Sequence, residues 1–187
     1  MTPITPNSAA VPFSYPVKVG NISANPVRVR LEANEAELQG LARLWNVEAV
    51  SALKAELQIG RWKKDGVHIR GHVSGTLQQA CVVTLEPVLT TIEEDIDQIY
   101  VQEGSKLARI VTDESNELVL DPDGPDLPEL FSGDTIDAGE LVAEFAALAI
   151  DPYPKKPGAE FAGHVEGTVE DNKRPNPFAV LKDWKKD

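Results

Sequence analysis

The chain of 187 residues has a single cysteine, Cys81, and a single methionine. One cysteine cannot form an internal disulfide, which excludes a disulfide-stabilised secreted scaffold and favours a reducing compartment. The sequence also lacks any apolar run near the ~20 residues that a membrane-spanning helix needs. Its first residues show no basic segment followed by an apolar one, as a secretion signal would. We therefore expect a cytoplasmic protein that does not contact a membrane.

Positive charge is scarce in the middle of the chain. The formal net charge is −12, but residues 81–171 alone carry 22 Asp or Glu and four Lys or Arg. Both flanks, residues 1–80 and 172–187, have a slight excess of positive charge. This excludes a surface that is basic throughout, as extended binding to a phosphate backbone requires. A local basic face on the N-terminal half remains compatible with nucleic acid, and the acidic middle favours a basic protein partner.

The composition is otherwise typical of a globular protein, with 42% hydrophobic and 26% charged residues. Residues 1–12 contain three prolines and no apolar period, and we interpret them as a flexible arm. Residues 13–171 are predicted to form one domain. Residues 172–187 are predicted to form a short basic tail with helical spacing around Leu181 and Trp184.

Alternating apolar and polar residues predict most of the domain as β-strands. Short strands are expected in residues 13–19 and 27–31, and long strands in residues 47–59, 67–81 and 88–100. The pair Asp65-Gly66 is a hairpin signal between the first two long strands. Sequential strands with short connections predict an antiparallel meander, and the inward glycines Gly71 and Gly75 favour a curved or barrel-like sheet.

Two amphipathic helices complete the α+β prediction. Asn34 with Glu37 resembles a capping box, and the helix that follows is expected to end at Asn46. Asp137 caps the second helix, which ends before Asp151-Pro152 because a residue before proline disfavours helical backbone. The predicted apolar face of this helix comprises Leu141, Val142, Phe145, Leu148 and Ala149. Residues 102–135 are predicted to form an acidic excursion with strand-like stretches at 107–111 and 118–120, and the C-terminal segment is rich in Pro and Gly.

The candidate binding surface is a group of basic and aromatic side chains on outward strand positions and at the predicted turn. Clustered cations attract phosphate, and the tryptophan is able to stack on a base. The group comprises Arg28, Arg30, Arg61, Trp62, Lys63, Lys64, His68, Arg70 and His72. Scattered surface charge without a function is the alternative.

Metal and enzyme sites find less support in the sequence. His68 and His72 share a strand face, but zinc needs three or four ligands and Cys81 faces the other side, so we expect no metal and no other cofactor. Cys81 is a candidate nucleophile, although the apolar register of its strand predicts burial and a structural role. We predict a protein that is not an enzyme. The alternative is a small hydrolase or nuclease that uses Cys81 or the acidic strand from Glu93 to Asp97.

Four stretches of the sequence together resemble the YceD family, bacterial and plastid proteins named for large ribosomal RNA subunit accumulation, in its alphaproteobacterial form. They are VSGTLQQACVVTLEP (73–87), DTIDAGELVAE (134–144), AIDPYPKKPGA (149–159) and NPFAVL (176–181). The motif residues are Cys81, Leu85, Glu86, Pro87, Asp151, Pro152, Tyr153 and Pro154. Many members have a second cysteine three residues after the first, where this chain has Thr84, so metal or redox chemistry at this motif is not expected.

The resemblance implies a non-enzymatic cytoplasmic factor that 23S ribosomal RNA needs in order to accumulate during assembly of the large ribosomal subunit. The expected partner is pre-ribosomal RNA or a basic ribosomal protein, without a small-molecule substrate. In this interpretation the basic strand face contacts phosphate, and the acidic middle of the chain engages the protein. A scaffold for an unrelated protein is the third alternative.

Overall fold

The computed structural model of the chain describes residues 11–22, 25–105, 107 and 128–160. Most of the arm, the strand-like stretches predicted at 107–111 (apart from Leu107) and 118–120, and the tail over residues 172–187 lie outside the described residues, so these predictions stay predictions. Within the described ranges, no helix is long and apolar enough to cross a membrane.

The described residues form strands and helices in the mixture that the α+β prediction requires. The strands are β1 (Pro16–Lys18), β2 (Val27–Glu32), β3 (Ala49–Trp62), β4 (Gly66–Ala80), β5 (Pro87–Gln102), β6 (Glu129–Phe131) and β7 (Thr135–Asp137). The helices are α1 (Glu35–Leu44) and α2 (Ala138–Leu148), and Val19–Asn21 form a short 3-10 helix. The α+β fold with two helices is confirmed.

The main sheet has the strand order β2-β3-β4-β5-β6, and all its pairs are antiparallel except β5 with β6. The predicted meander of three long strands is confirmed. The sheet is open across the described ranges, since β2 and β6 are its edges and no pairing joins them, so a barrel is not confirmed.

The first predicted strand is shorter than residues 13–19 and lies outside the main sheet. Strand β1 pairs with β7 in a separate two-stranded sheet. Ser14 and Tyr15, which precede β1, contact the start of α2 and do not form part of a strand. Ser14 Oγ and the Tyr15 N–H both donate to the carboxylate of Asp137. The same carboxylate accepts the N–H groups of Gly139 and Glu140, and this confirms Asp137 as the N-cap.

The core lies on one face of the main sheet, which we call the inner face. Its nearly fully buried strand residues include Leu53, Ala55, Leu57 and Ile59 on β3, Val67, Ile69, Val73 and Leu77 on β4, and Ile92 and Ile96 on β5. Helix α2 packs against β4 and β5 through its buried Leu141, Val142 and Ala146. Most of the predicted inward positions of the three long strands are thus confirmed, and the opposite face, the outer face, is polar.

Two predictions of side-chain direction are wrong. The alternation expected from Ala49 to Leu53 is interrupted by a register shift between Val50 and Ala52, so Val50 is buried where Ala49 was expected. A bulge reverses the direction of the side chains on one side of it. Leu148 was expected in the core but is 79% exposed, because it is the last residue of α2.

Candidate functional site

The outer face brings part of the predicted basic group into one cleft. Strand register places Arg28, Gln58 and Arg70 side by side on β2, β3 and β4, and Arg30, Glu56 and His72 in the next row. These six residues line a cleft of about 490 Å³, which we call the outer cleft.

Most cations of the outer face lie beside carboxylates. Arg30 Nε is 3.0 Å from Glu56 Oε1, and Lys54 Nζ is 2.9 Å from Glu32 Oε1. Arg28 is the exception, with no ion pair among the described residues. This face is therefore a mixed surface of both charges.

Strand β5 supplies the carboxylates for the cations of β4. Asp97 lies 2.5 Å from His68 Nε2 and 3.2 Å from Arg70 Nε, and Asp95 lies 2.9 Å from His72 Nδ1. The hydrogen bond with His68 and the nearby Arg70 hold the pKa of Asp97 below its usual value. Two carboxylates of the acidic strand predicted as a candidate for acid-base chemistry, Asp95 and Asp97, thus pair with histidine and arginine on the outer face.

Four more of the predicted residues lie at the end of β3 and in the β3–β4 turn, away from the outer cleft, whereas His68 lies on β4. Trp62 pairs with Gly66 across a three-residue loop, in which Lys63 has a positive φ of 52°. Lys63 Nζ lies 4.1 Å from the centroid of the Trp62 ring, and Lys64 follows it in the loop. Arg61 Nε donates to the carbonyl of Ile22 at 2.9 Å. The hairpin is confirmed, but the predicted basic group is divided between two places.

The motif residues meet at the end of the β4–β5 hairpin. The Val82 N–H donates to the Pro154 carbonyl at 2.9 Å, and the Lys156 N–H donates to Cys81 Sγ at 3.4 Å. Lys156 Nζ lies 2.8 Å from Glu86 Oε2. We call residues 81–87 together with residues 151–156 the motif junction.

Cys81 is the buried centre of this junction, and its predicted burial is confirmed. Its thiol accepts hydrogen bonds from the N–H groups of Lys156 and Val83. The bond from the Lys156 backbone, followed by bonds from Thr84, lowers the pKa of Cys81 to about 6, because these donors favour the thiolate. The Leu85 N–H donates a hydrogen bond to the Cys81 carbonyl at 2.9 Å, which closes the connection between β4 and β5.

Apolar side chains are exposed on and beside the motif junction. Leu85 is 77% exposed, Tyr153 is 75% exposed and Val82 is 47% exposed. Leu89 and Leu148, both exposed, lie within three residues of the junction in the sequence. Single exposed apolar residues are ordinary, whereas several at one end of a domain are typical of an interaction surface.

An acidic cleft of about 220 Å³ lies where β5, β6 and α2 meet. Glu129, Glu140 and Glu144 line it around Tyr100, and no Lys, Arg or His is among its described lining residues. Burial, together with the charges of Glu129 and Glu140, raises the pKa of Glu144. Burial and the same carboxylates also raise the pKa of Tyr100.

Cys81 does not meet the other candidate groups for catalysis. Cys81 continues the inner-face register of β4, whereas His68, His72 and the carboxylates of Asp95 and Asp97 are on the outer face. Among the described residues, no group of three or more His, Cys, Asp or Glu is placed to hold a metal ion.

Comparison with known families adds to this geometry. The sequence model of the family described as large ribosomal RNA subunit accumulation protein YceD matches residues 69–185, more than half of the chain. The chain belongs to the YceD family. The resemblance seen in the sequence is therefore confirmed, and the YceD description gives the family a role in the accumulation of large-subunit ribosomal RNA. Searches of curated proteins and of solved structures gave no match.

The YceD match includes both segments of the motif junction, whereas Arg28 and Arg30 lie before it. Sequence reasoning missed Lys156 as the residue that joins these segments, because no local pattern links a lysine to a thiol 75 residues away. It also missed Gln58, which lies between Arg28 and Arg70. The alternating pattern places Gln58 on the outward face, but only the register between strands places it between the two arginines.

Proposed function

We propose that this YceD protein is a non-enzymatic binding factor that supports the accumulation of 23S ribosomal RNA during assembly of the large ribosomal subunit. It acts in the cytoplasm through one domain over residues 13–171. Its binding site is the motif junction, and its partner there is a basic ribosomal protein. The observation that carries this proposal is the meeting of two distant motif segments at a surface where Leu85 and Tyr153 are exposed.

The apolar character of the junction supports a protein partner over RNA. The buried centres of protein interfaces are apolar and often aromatic, whereas RNA backbones are bound by many cations. Most cations of the outer face are already beside carboxylates, which argues against a long phosphate track there. The net charge of −12 and the acidic cleft around Tyr100 favour a basic partner.

A hydrolase or nuclease is not supported by the arrangement of the described residues. Cys81 is fully buried, and its thiol contacts backbone N–H groups of the junction. Neither His68 nor His72 reaches it, so the base that a cysteine nucleophile needs is missing among the described histidines.

The first test is the ratio of 23S to 16S ribosomal RNA after depletion of the protein. We expect the ratio to fall and to recover when the wild-type protein is re-expressed. The double variant Leu85→Ser/Tyr153→Ser should fold but not restore the ratio. The matched control Leu44→Ser/Val27→Ser changes two apolar residues that are 54% and 48% exposed and lie outside both the motif junction and the acidic cleft, and it should restore the ratio.

Two results would contradict the proposal at different levels. A ratio that does not change on depletion would remove the function itself, and full recovery with the junction variant would remove the binding site. The β3–β4 turn is a separate place where RNA contact is tested. Reversing the charges of Arg61, Lys63 and Lys64 should leave co-sedimentation with pre-ribosomal particles unchanged, and loss of co-sedimentation would assign a phosphate contact to the turn.

A further inference from the structure

The outer cleft concentrates three guanidinium groups in one concave place. Arg28 and Arg70 lie in one row on either side of the neutral Gln58, and Arg30 lies in the next row. Neighbouring strands are about 4.8 Å apart. The two arginines of the row are therefore two strand spacings apart. Arg70 Nε contacts Asp97 and His68 on the β5 side, so an anion above Gln58 is within reach of both long side chains once Arg70 turns away from these partners.

One of the cations that line the cleft has no carboxylate beside it. The lining residues of the cleft include three arginines and His72 but only one carboxylate, Glu56, which pairs with Arg30. Asp97 and Asp95 on β5 lie beside Arg70 and His72 at one rim. Arg28, at the opposite rim, has no ion pair among the described residues. Arg28 on β2 is therefore the cation of the cleft whose charge is not compensated by a described carboxylate.

We propose that the outer cleft binds one phosphate group, held by Arg28 and Arg70, with Arg30 and the amide of Gln58 as further donors. The planar guanidinium presents paired N–H groups that match phosphate oxygens. A cleft of about 490 Å³ has room for a phosphate and the residue attached to it. The site is separate from the motif junction, so it adds a second binding surface to the proposed function.

The phosphate belongs either to a phosphodiester of RNA or to a free phosphate compound, since the recognition chemistry is the same. Two probes separate these sources with the full-length chain. Calorimetric titration measures pyrophosphate binding, and fluorescence anisotropy measures binding of a short single-stranded RNA at low salt. Competition between the two probes for the cleft assigns it to RNA, whereas binding of pyrophosphate alone assigns it to a free phosphate compound.

Substitutions of the two arginines test the site directly. Arg28→Gln and Arg70→Gln should each weaken binding about tenfold, or about 1.4 kcal/mol, for whichever of pyrophosphate and RNA binds the wild type. The control Arg43→Gln removes the same charge from the exposed end of α1 and should bind as the wild type does. Absence of saturable binding for both probes, or unchanged affinity in both cleft variants, overturns the proposal.

Folding of the variants is checked by thermal unfolding, and both arginines are exposed, so we expect little change. The conservative variant Arg28→Lys keeps the charge and removes the planar fork. It should bind more weakly than the wild type and more tightly than Arg28→Gln. If Arg28→Lys binds as the wild type does, guanidinium recognition is contradicted.

Discussion

The backbone N–H of Lys156 donates a hydrogen bond to Cys81 Sγ at 3.4 Å, across 75 residues of sequence. The ammonium of the same lysine lies 2.8 Å from the Glu86 carboxylate, and this pair raises the pKa of Lys156 and lowers that of Glu86. One residue of the 151–156 segment thus holds both a thiol and a carboxylate of the β4–β5 connection. Any change in the charge of Cys81 should therefore affect how firmly the two segments are joined.

The lowered pKa of Cys81 predicts a stability that depends on pH. The pKa in the folded protein is about 6, against an ordinary value of 9.0. A thiol pKa that is lowered by folding stabilises the folded protein. This stabilisation is complete above the pKa of the unfolded chain, and it is lost as the pH falls through the pKa of the folded protein. Cys81→Ser should therefore have a lower Tm than the wild type, by a margin that grows from pH 6 to pH 9. Differential scanning calorimetry of both proteins measures this margin.

A direct titration checks the same thiolate. Ultraviolet thiolate absorbance should rise near pH 6 in the wild type. Alkylation by iodoacetamide should still be slow until denaturant is added, because the side chain is fully buried. A titration midpoint near 9 would contradict the hydrogen-bonded thiolate and leave burial as the only property of Cys81.

The backbone around Gly71, one of the residues that line the outer cleft, leaves no room for a side chain. A Cβ atom at this position would lie 2.2 Å from the Glu56 carbonyl oxygen and 2.8 Å from Leu57 Cδ2. Because the nearest atom belongs to the backbone of the paired strand, Gly71→Ala should lower the free energy of unfolding by about 1–3 kcal/mol. Gly20→Ala is the control, since a Cβ there has no neighbour within 4 Å, and its change should stay within about 0.5 kcal/mol. Urea denaturation that finds equal stability in both variants would show that β3 and β4 separate without cost.

Much of the main sheet was predictable because a period of two decides which residues face the core. The inward positions of Leu57, Ile69 and Ile96 follow from this pattern alone. Local chemistry also predicted the start of α1. The Asn34 side chain accepts the Glu37 N–H, and the Glu37 carboxylate accepts the Asn34 N–H, as a capping box requires.

The candidate sites were less predictable because they depend on contacts between distant segments. The sequence places Arg70 and Asp97 on outward strand positions, but only the register between β4 and β5 brings them together. The contact of Lys156 with Cys81 has no periodic signal at all. The bulge between Val50 and Ala52 is likewise a result of pairing with β4, and a local alternation pattern cannot contain it.

Glu144 predicts a second dependence on pH, of opposite sign to that of Cys81. Burial and the nearby Glu129 and Glu140 raise the pKa of this carboxyl above its ordinary value of 4.5. A raised carboxyl pKa means that ionisation opposes folding, so stability is lost as the pH rises through the folded pKa. Glu144→Gln should raise Tm at pH 7, and this gain should disappear below pH 4.5. Thermal unfolding at both pH values measures it, and a Tm at pH 7 no higher than the wild type would contradict the repulsion in the acidic cleft.

Substitution of Leu85 should affect the function of the protein without lowering its stability. The φ of Leu85 is +59°, in the left-handed region, and its side chain is 77% exposed. Left-handed backbone costs a residue with a β-carbon about 1 kcal/mol or more, whereas glycine adopts it freely at the cost of a more flexible unfolded chain. Leu85→Gly should therefore unfold within about 1 kcal/mol of the wild type. The same variant should not restore the 23S to 16S ratio, because it removes an apolar side chain from the proposed binding surface.

Asn46 supplies the matched control for this substitution. Its φ is +53°, also left-handed, but it follows α1 and is not one of the residues of the motif junction. Asn46→Gly should keep the stability of the protein and restore the ratio fully. If Leu85→Gly also restores the ratio, the exposed leucine is not a binding residue, and the left-handed turn serves only to return the chain to Glu86, whose carbonyl accepts the Cys81 N–H at 2.8 Å. If Leu85→Gly does not restore the ratio, Asn46→Gly does, and both are as stable as the wild type, the loss of function is due to the missing leucine side chain.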